Sequence, residues 1–255
     1  MKHNHCRAGA SPARQPERLP YNSRPMFAVL HVYRDDTPHS ASMNMAVDEA
    51  LLEHAAVPSI RFYRWHSPAL SFGYFGKFAD VAAYALKRDL VRRWTGGGIV
   101  FHGEDLTYSI VIPASYTAFG ESSISIYERI HDALCRVLNA LCQPAVVTGG
   151  VTGPGRFAKE AAVSAGGYNC FANPVHADVM IDGRKVAGAA QRRTRCGWLQ
   201  QGSLQGVDLG NGLAQRFARA LSANCSERKM NEEILNRARE LVPRKYGTDS
   251  WLRKR

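Results

Sequence analysis

The 255-residue sequence predicts an α+β fold in which a mixed, largely antiparallel sheet is flanked by helices within one domain. Three observations support this prediction. Short strand-like runs cluster between residues 60 and 113, an Asp-Gly pair at residues 182–183 indicates a two-residue hairpin turn, and only two long helical patterns interrupt the strands. Strands and helices that do not alternate one for one argue against a parallel α/β sheet.

The first elements are a helix over residues 42–55 and two strands. Serines able to cap a helix precede the first, and Asp48 and Glu49 lie off its apolar stripe. The stripe consists of Met43, Ala46, Val47, Ala50 and Leu51. Aromatic-rich alternation then predicts strands over residues 60–65 and 69–75, separated by a His-Ser-Pro turn.

The middle of the chain continues with strands and one long helix. Runs over residues 90–94 and 99–102 flank three glycines, and residues 106–113 form a further strand-like run. The spacing of apolar residues from 125 to 142, at three- and four-residue steps, predicts a long amphipathic helix.

The last elements begin with the Asp-Gly hairpin. It joins strands predicted over residues 177–181 and 184–191, and another strand follows over residues 198–204. A helix over residues 231–242 is ended by Pro243.

Composition divides the chain into three parts. Residues 1–25, rich in Pro, Arg, Ser and Ala without an apolar period, predict a disordered basic leader ahead of Met26. Residues 26–226 form the predicted main domain, and residues 227–255 form a small C-terminal helical element.

The net charge of +11 is concentrated at the two ends of the chain. Residues 1–25 carry five Lys or Arg against one Glu, and residues 227–255 carry nine against five acidic residues. Since the main domain keeps little of this excess and no RNA- or DNA-binding motif is found, the sequence argues against a nucleic-acid partner.

The six cysteines predict free thiols in a reducing compartment. They are scattered, without a C-x-x-C pair or a Cys/His spacing typical of zinc sites. No apolar run approaches the roughly 20 residues of a membrane span, and the first 25 residues lack the apolar centre of a signal peptide. We therefore expect a cytoplasmic protein without a membrane association or a metal site.

The most informative motif is the glycine run within residues 93–102, Arg-Trp-Thr-Gly-Gly-Gly-Ile-Val-Phe-His. Gly96, Gly97 and Gly98 let the backbone approach a ligand closely and adopt φ values that other residues avoid. A tight hairpin bend is the alternative interpretation. The run is not a Walker loop, because no Gly-Lys-Ser/Thr follows it.

Several motifs in order resemble the superfamily of lipoate ligases, octanoyltransferases and biotin ligases. The resemblance covers most of residues 27–255 and implies the biotin/lipoate protein ligase fold, with residues 26–226 as the catalytic domain. Its motifs are Met45–Ala50, Arg61–Trp65 with Pro68, Arg92–Gly98 with Val100–His102, Leu106–Ser109, Gly183–Gln191, Gln201–Leu204, and Lys245–Asp249 with Trp251.

Within this superfamily the chain is most similar to octanoyltransferases that carry Cys-Phe shortly before the lysine hairpin. Here Asn169-Cys170-Phe171 stands fifteen residues before Lys185. The resemblance implies that an octanoyl group passes from acyl carrier protein to Cys170, and then to the lysine of a lipoyl-domain protein or glycine-cleavage H protein.

The sequence departs from the family pattern at three places. The usual Gly-Ser-Ala is Gly188-Ala189-Ala190, the usual His-Gly-Ser is Gln201-Gly202-Ser203, and residues 174–178 replace the common Pro-Ser and aromatic pattern. Asp178 is similar to an Asp found before the hairpin in the ligases.

Cys170 is the candidate nucleophile. An enzyme thioester lets the acyl group move in two easier steps, so that the two carrier proteins do not have to react with each other directly. The reactive form of the cysteine is the thiolate. The alternative is a small buried side chain, which is the expectation for Cys135 and Cys142 on the long helix. Cys196 is the second candidate thiol.

Lys185 is the candidate that stabilises the thiolate and polarises the acyl carbonyl, provided that its hairpin folds against the loop at residues 166–171. Gly188 and the two alanines after it leave room for a ligand. A solvated lysine at a strand edge is the alternative.

Further substrate-binding candidates flank these two residues. Arg93 can orient a phosphate or carboxylate, or pair with Glu104 or Asp105. His102 can act as an acid or base, or serve as a hydrogen-bonded structural residue. Tyr74, Phe75 and Trp65 are expected to line an apolar acyl tunnel, or else to pack in the core.

The leading functional hypothesis is cysteine-dependent octanoyl transfer without a cofactor. The second is an ATP- and Mg²⁺-dependent lipoate-protein ligase that forms a lipoyl-adenylate. The third is a non-catalytic binding protein that keeps the same pocket.

Overall fold

The computed structural model describes residues 25–149, 174–210 and 212–254. Its strands and helices, in chain order, are β1 (Leu30–His39), α1 (Ala41–His54), β2 (Ser59–Trp65), β3 (Ala69–Phe72), β4 (Asp89–Arg92), β5 (Val100–His102), β6 (Leu106–Pro113), α2 (Ser123–Ala140), β7 (Ala145–Val147), β8 (Val179–Ile181), β9 (Arg184–Arg193), β10 (Gly197–Leu204), α3 (Leu213–Leu221), β11 (Cys225–Arg228), α4 (Glu232–Leu241) and α5 (Asp249–Leu252).

Eight of these strands form the main sheet, in the order β11-β1-β2-β6-β10-β9-β8-β7. β1 runs parallel to both of its neighbours, and the other neighbouring pairs are antiparallel. The prediction of a mixed, largely antiparallel sheet with flanking helices is therefore confirmed.

The glycine run belongs to a second, three-stranded sheet in the order β4-β3-β5. Because β3 lies between β4 and β5, the two strands that flank the glycines do not pair with each other. The hairpin interpretation of the run is thus wrong. β2 and β3, the two strands joined by the His-Ser-Pro turn, lie in different sheets.

Both faces of the main sheet are covered, which explains why the β6 sequence is almost continuously apolar. Ile110 and Ile112 point into a core shared with α2 and α3, whereas Val111 points into a second core shared with α1 and α4. The period-2 alternation of a strand divides these neighbours between the two cores.

Helix α1 is buried almost all round, including the acidic residues off its apolar stripe. Asp48 accepts hydrogen bonds from Arg61 Nη1 at 2.8 Å and from Ser109 Oγ at 2.7 Å, and its side chain is fully buried. A buried charge needs such partners to offset its desolvation. These bonds fix α1 to β2 and β6.

The predicted turn at residues 182–183 is confirmed. Asp182 and Gly183 have φ of 48° and 73°, the two positive values that a type I′ turn requires, and they join β8 to β9.

Four elements escaped the sequence patterns: β1, β7, α3 and β11. β1 carries charged residues and Pro38, and only its first half is buried, so its alternation is short. α3 has a clear signal, because Leu213, Phe217 and Leu221 recur every four residues and are buried.

The C-terminal residues pack closely on the rest of the chain. β11 crosses the predicted division at residue 226 by pairing with β1, and α4 shares the core under α1. After α4 the backbone continues through Pro243 in a π-helical turn over Val242–Tyr246. The division into parts stays a prediction, and residues 1–24 of the leader lie outside the described residues.

Candidate active site

A cavity lies between the small sheet, α1 and strands β9 and β10. Four predicted residues line it: Trp65, Arg93, His102 and Gly188. The other lining residues are Met45, Tyr63, Ser71, Val100, Thr107, Ala189, Ala190, Gln201, Gly202 and Ser203.

Arg93 holds the glycine run, which we call the glycine loop (residues 94–98), in place. Its Nη2 donates to the carbonyl oxygens of Gly96 and Gly98, each at 2.9 Å, and its Nη1 donates to Ser71 Oγ at 2.7 Å. The planar guanidinium suits this fork of acceptors. Arg93 lines the cavity and holds the loop in place, whereas Gly96, Gly97 and Gly98 are not among the lining residues, so their role in substrate binding stays a prediction.

Two glycines are required for the loop to close in this way. Gly97 has a φ of +82°, which favours glycine. At Gly73, a Cβ atom would stand 2.0 Å from the carbonyl oxygen of Gly97, so that the loop packs directly on the Gly73 backbone. At Gly96, by contrast, a Cβ would meet no atom within 4 Å.

We expect Gly73→Ala to displace the glycine loop, since the obstructing atoms belong to backbone. The free energy of unfolding should fall by about 1–3 kcal/mol, as measured by urea denaturation. Gly103→Ala is the matched control, because a Cβ there meets nothing within 4 Å. Equal stability of the two variants would contradict the proposed contact.

His102 is fixed by hydrogen bonds on both ring nitrogens. Nδ1 lies 2.8 Å from Asp105 Oδ2, Nε2 lies 2.7 Å from Ser71 Oγ, and the ring stacks on Trp65 at 4.1 Å. Because Asp105 accepts at Nδ1, the neutral ring accepts at Nε2 from the Ser71 hydroxyl. Burial lowers the pKa of His102, so the imidazole is neutral near pH 7.

Asp105 is the anchor of this network. Burial alone would raise its pKa, but hydrogen bonds from His102, Thr107 and Ser203 lower it to about 2. Thr107 Oγ1 in turn accepts from Trp65 Nε1 at 2.8 Å. The polar groups on this wall of the cavity thus bond mainly to one another.

Gln201 joins the glycine loop to α1. Its Oε1 accepts from Thr95 Oγ1 at 2.8 Å, and its Nε2 donates to Asp48 Oδ2 at 2.7 Å. The glutamine at this departure from the family pattern is therefore a buried link between the loop and the core.

Lys185 is buried, which contradicts the solvated strand-edge alternative. Only 1% of its side chain is exposed, and Nζ forms an ion pair with Asp178 Oδ2 at 2.8 Å. Tyr127 holds the other carboxylate oxygen, because its hydroxyl donates to Asp178 Oδ1 at 2.6 Å. The backbone N–H of Ala189 donates to the Tyr127 oxygen at 3.0 Å, tying this unit to the wall of the cavity.

Gly188 lets the Lys185 ammonium lie beside the cavity. A Cβ atom at Gly188 would stand 2.4 Å from Lys185 Cε and 2.6 Å from its Nζ. The lysine side chain therefore folds across the glycine, whose small size serves the ammonium as well as the cavity.

His131 packs beneath this unit and connects it to α2. Its ring meets the Tyr127 ring edge-on at 4.2 Å, and Nδ1 donates to the carbonyl oxygen of Ala177 at 2.6 Å. Burial lowers the pKa of His131 to about 4, although the Ala177 bond opposes this shift.

We expect His131 to make the fold less stable in mild acid. Because its pKa is lower in the folded state than the 6.5 of a free histidine, the unfolded chain binds the proton more tightly between pH 6.5 and 4. Stability is complete above pH 6.5, and this residue should remove about 2 kcal/mol of it at pH 5. Urea denaturation at pH 7.5 and pH 5 measures the loss. In His131→Asn the loss should be smaller by that amount, and an unchanged loss would contradict the assignment.

Of the three predicted aromatic residues, two lie outside the lining of the cavity. Tyr74 is outside the cavity lining and accepts a hydrogen bond from Lys254 Nζ at 3.0 Å, so its role in substrate binding stays a prediction. Phe75 is 73% exposed and therefore does not line a tunnel, whereas Trp65 does line the cavity.

Cys170 and the loop at residues 166–171 lie outside the described residues. Cys142 is exposed and follows α2, which corrects the expectation that it is buried, and Cys135 is half-buried. Cys196 is exposed in the turn between β9 and β10. Among the described residues there is no group of three potential metal ligands and no helix long and apolar enough to cross a membrane.

Sequence reasoning missed Ser71, Asp105 and Tyr127 as parts of the site. Tyr127 lies 51 residues from Asp178 and 62 residues from Ala189, so no local pattern relates them. Asp105 stands three residues after His102, a spacing that a search for paired His and Asp would have found.

The fold has known structural relatives. Protein Ta0514 of T. acidophilum, solved with bound lipoic acid, superposes with a TM-score of 0.67 at 24% identity, covering 86% of this chain and 96% of that one. Lipoate-protein ligase A bound with ATP gives a TM-score of 0.68 at 23% identity, covering 87% and 97%. The predicted lipoate protein ligase-like fold is thus confirmed.

Sequence relatives are closer. The octanoyltransferase LipM of Oceanobacillus iheyensis is 34% identical over 180 residues, which span 68% of this chain and 62% of that protein. The octanoyltransferase LipM of Symbiobacterium thermophilum is 31% identical over 268 residues, covering 85% and 96%.

The family model described as the lipoyl protein ligase A/B catalytic domain matches residues 40–240. This range contains the cavity, the glycine loop and the Lys185 hairpin. The chain belongs to the lipoyl protein ligase A/B catalytic domain family.

Proposed function

We propose that the protein transfers an octanoyl group from the thioester of an acyl carrier protein to a lysine of a lipoyl-accepting protein. The observation that carries this proposal is an apolar cavity with a buried ammonium group, that of Lys185, packed against Gly188 of its lining. Relatives named octanoyltransferase LipM support the choice of reaction.

The cavity suits a hydrocarbon chain because its polar side chains are already satisfied. Ser71, His102, Thr107 and Ser203 bond to one another through Asp105 or to Arg93, and Gln201 bonds to Thr95 and Asp48. An occupant therefore meets carbon and paired polar atoms. Each methylene buried there is worth about 0.8 kcal/mol.

Lys185 supplies the positive charge at the reacting end of the chain. In the first step the Cys170 thiolate attacks the acyl carbonyl, a C–S bond forms, and the carrier thiolate leaves. In the second step the acceptor lysine amine attacks the Cys170 thioester, a C–N bond forms, the C–S bond breaks to release the Cys170 thiolate, and the amine loses one proton to water. Each step passes through an oxyanion that an ammonium group stabilises.

Asp178 and Tyr127 position this charge rather than react. Burial and the Asp178 charge raise the pKa of Tyr127 far above its ordinary value, so the hydroxyl stays protonated and keeps donating to Asp178. A fixed ammonium needs no reorganisation when the oxyanion forms.

The proposal is tested by octanoylation of a lipoyl-accepting protein. We expect transfer from octanoyl-acyl carrier protein without nucleotide, and no dependence on ATP or Mg²⁺. Modification that occurs only with free octanoate or lipoate, ATP and Mg²⁺ would identify a ligase instead. Absence of modification with either donor would favour a non-catalytic binding protein.

A further inference from the structure

A group of cations surrounds aromatic rings that include Trp94, the first residue of the glycine loop. We call these residues the cation cluster. They come from β9, from the π-helical turn and from the C-terminal end of the chain. The cluster consists of Arg192, Lys245 and Lys254 around the rings of Tyr74, Trp94 and Trp251.

Arg192 has an unused donor inside the cluster. Its guanidinium lies 5.3 Å from the Tyr74 ring centre and 5.1 Å from that of Trp94. Its Nε is buried and has no hydrogen-bond partner. A buried donor on a charged group without a partner is costly, and an anionic oxygen is the acceptor that best removes this cost.

The two lysines add positive charge that carboxylates offset only in part. Lys245 pairs with Glu49 at 2.5 Å, whereas no carboxylate in the described part of the chain pairs with Arg192 or Lys254. Burial lowers the pKa of Lys245, and the Arg192 charge acts in the same direction. Lys254 is exposed, which leaves an approach from solvent.

The position of the cluster distinguishes possible ligands. Gly188 and Arg192 lie on the same face of β9, whose pairing with β10 is regular from Ala187 to Arg193. At about 3.4 Å per residue, their Cα atoms are about 14 Å apart. The Lys185 ammonium stands beside Gly188, so the cluster lies well away from the reacting carbonyl.

We propose that the cation cluster binds the phosphate of the phosphopantetheine arm that carries the acyl thioester. This inference rests on the proposed octanoyl transfer. The phosphate of this arm lies at the opposite end from the thioester, as the separation along β9 requires. The phosphate of an acyl-adenylate is bonded directly to the acyl carbonyl and would lie at Lys185 instead.

The test compares Arg192→Gln and Lys254→Gln with Arg193→Gln. Arg193→Gln removes the same charge one residue further along β9. The Arg193 side chain points to the opposite face, over Phe119 and Trp198. Calorimetric titration with phosphopantetheine, ATP and inorganic phosphate measures binding without turnover, and thermal unfolding checks that each variant is folded.

We expect the Kd for phosphopantetheine and the KM for octanoyl-acyl carrier protein to rise on the order of tenfold in Arg192→Gln. Lys254→Gln should give a smaller rise, Arg193→Gln should stay within about twofold of the parent protein, and kcat should change little.

Unchanged binding in both Arg192→Gln and Lys254→Gln would overturn the inference, even if octanoyl transfer is established. A loss confined to ATP would also overturn it, because the site would then serve a nucleotide. If no carrier donates an octanoyl group, the proposed function fails, and the inference that rests on it fails too. The phosphate titration then shows only whether the cluster binds anions.

Discussion

Replacing Cys170 with alanine is expected to lower the rate of octanoyl transfer by at least about a thousandfold. Without the sulfur no enzyme-bound thioester can form, and the acceptor amine would have to meet the carrier thioester directly. The measurement is the steady-state rate of acceptor octanoylation from octanoyl-acyl carrier protein.

The matched control for this experiment is Cys196→Ala. Cys196 is exposed in the turn between β9 and β10, away from the lining of the cavity, and its removal should leave the rate within about twofold. Loss of activity in Cys196→Ala together with full activity in Cys170→Ala would contradict this assignment and identify Cys196 as the nucleophile.

Replacing Lys185 with methionine is expected to lower kcat by about 10²–10³-fold, with a smaller effect on KM. The variant removes the ammonium that we propose stabilises the oxyanion, and it leaves the Asp178 carboxylate buried without its cation. Both changes disfavour negative charge in the transition state more than in the bound substrate. Single-turnover rates with saturating octanoyl-acyl carrier protein measure the effect.

Arg184→Met is the control for the lysine variant. It removes one positive charge from the preceding residue of β9, which is exposed and does not line the cavity. We expect little change in either kinetic constant. An equal loss in Arg184→Met and Lys185→Met would show that net charge, and not the position of one ammonium, controls the rate.

Local patterns predicted much of the fold. α2 has a strong apolar period, β6 is an almost continuous apolar run, α1 follows a serine that caps it, and the Asp182-Gly183 turn follows from residues that tolerate positive φ. These features depend on neighbours within one element, so the sequence alone contains the information.

The order of the strands depends on distant contacts and was not predictable in this way. The insertion of β3 between β4 and β5 makes the glycine run a loop between two non-paired strands, although its flanks resemble a hairpin. Gly73 would not have been chosen from sequence, because its close approach to the Gly97 carbonyl joins separate segments.

The candidate site shows the same division. The glycine run and Lys185 stood out through composition and the turn that precedes the lysine, and Arg93, His102 and Gly188 line one cavity. The ion pair of Lys185 with Asp178 and the hydrogen bonds of Tyr127 depend on the packing of α2 against β9, which no local pattern indicates. Buried polar groups form hydrogen bonds with whichever groups the fold brings close, irrespective of sequence distance.

The mass of the intact protein after incubation with octanoyl-acyl carrier protein, without nucleotide or acceptor, tests the proposed relay most directly. The account predicts a gain of one octanoyl group that is absent in Cys170→Ala and is released when a lipoyl-accepting protein is added. An adduct that persists in Cys170→Ala, or one that forms only when ATP is present, would contradict it.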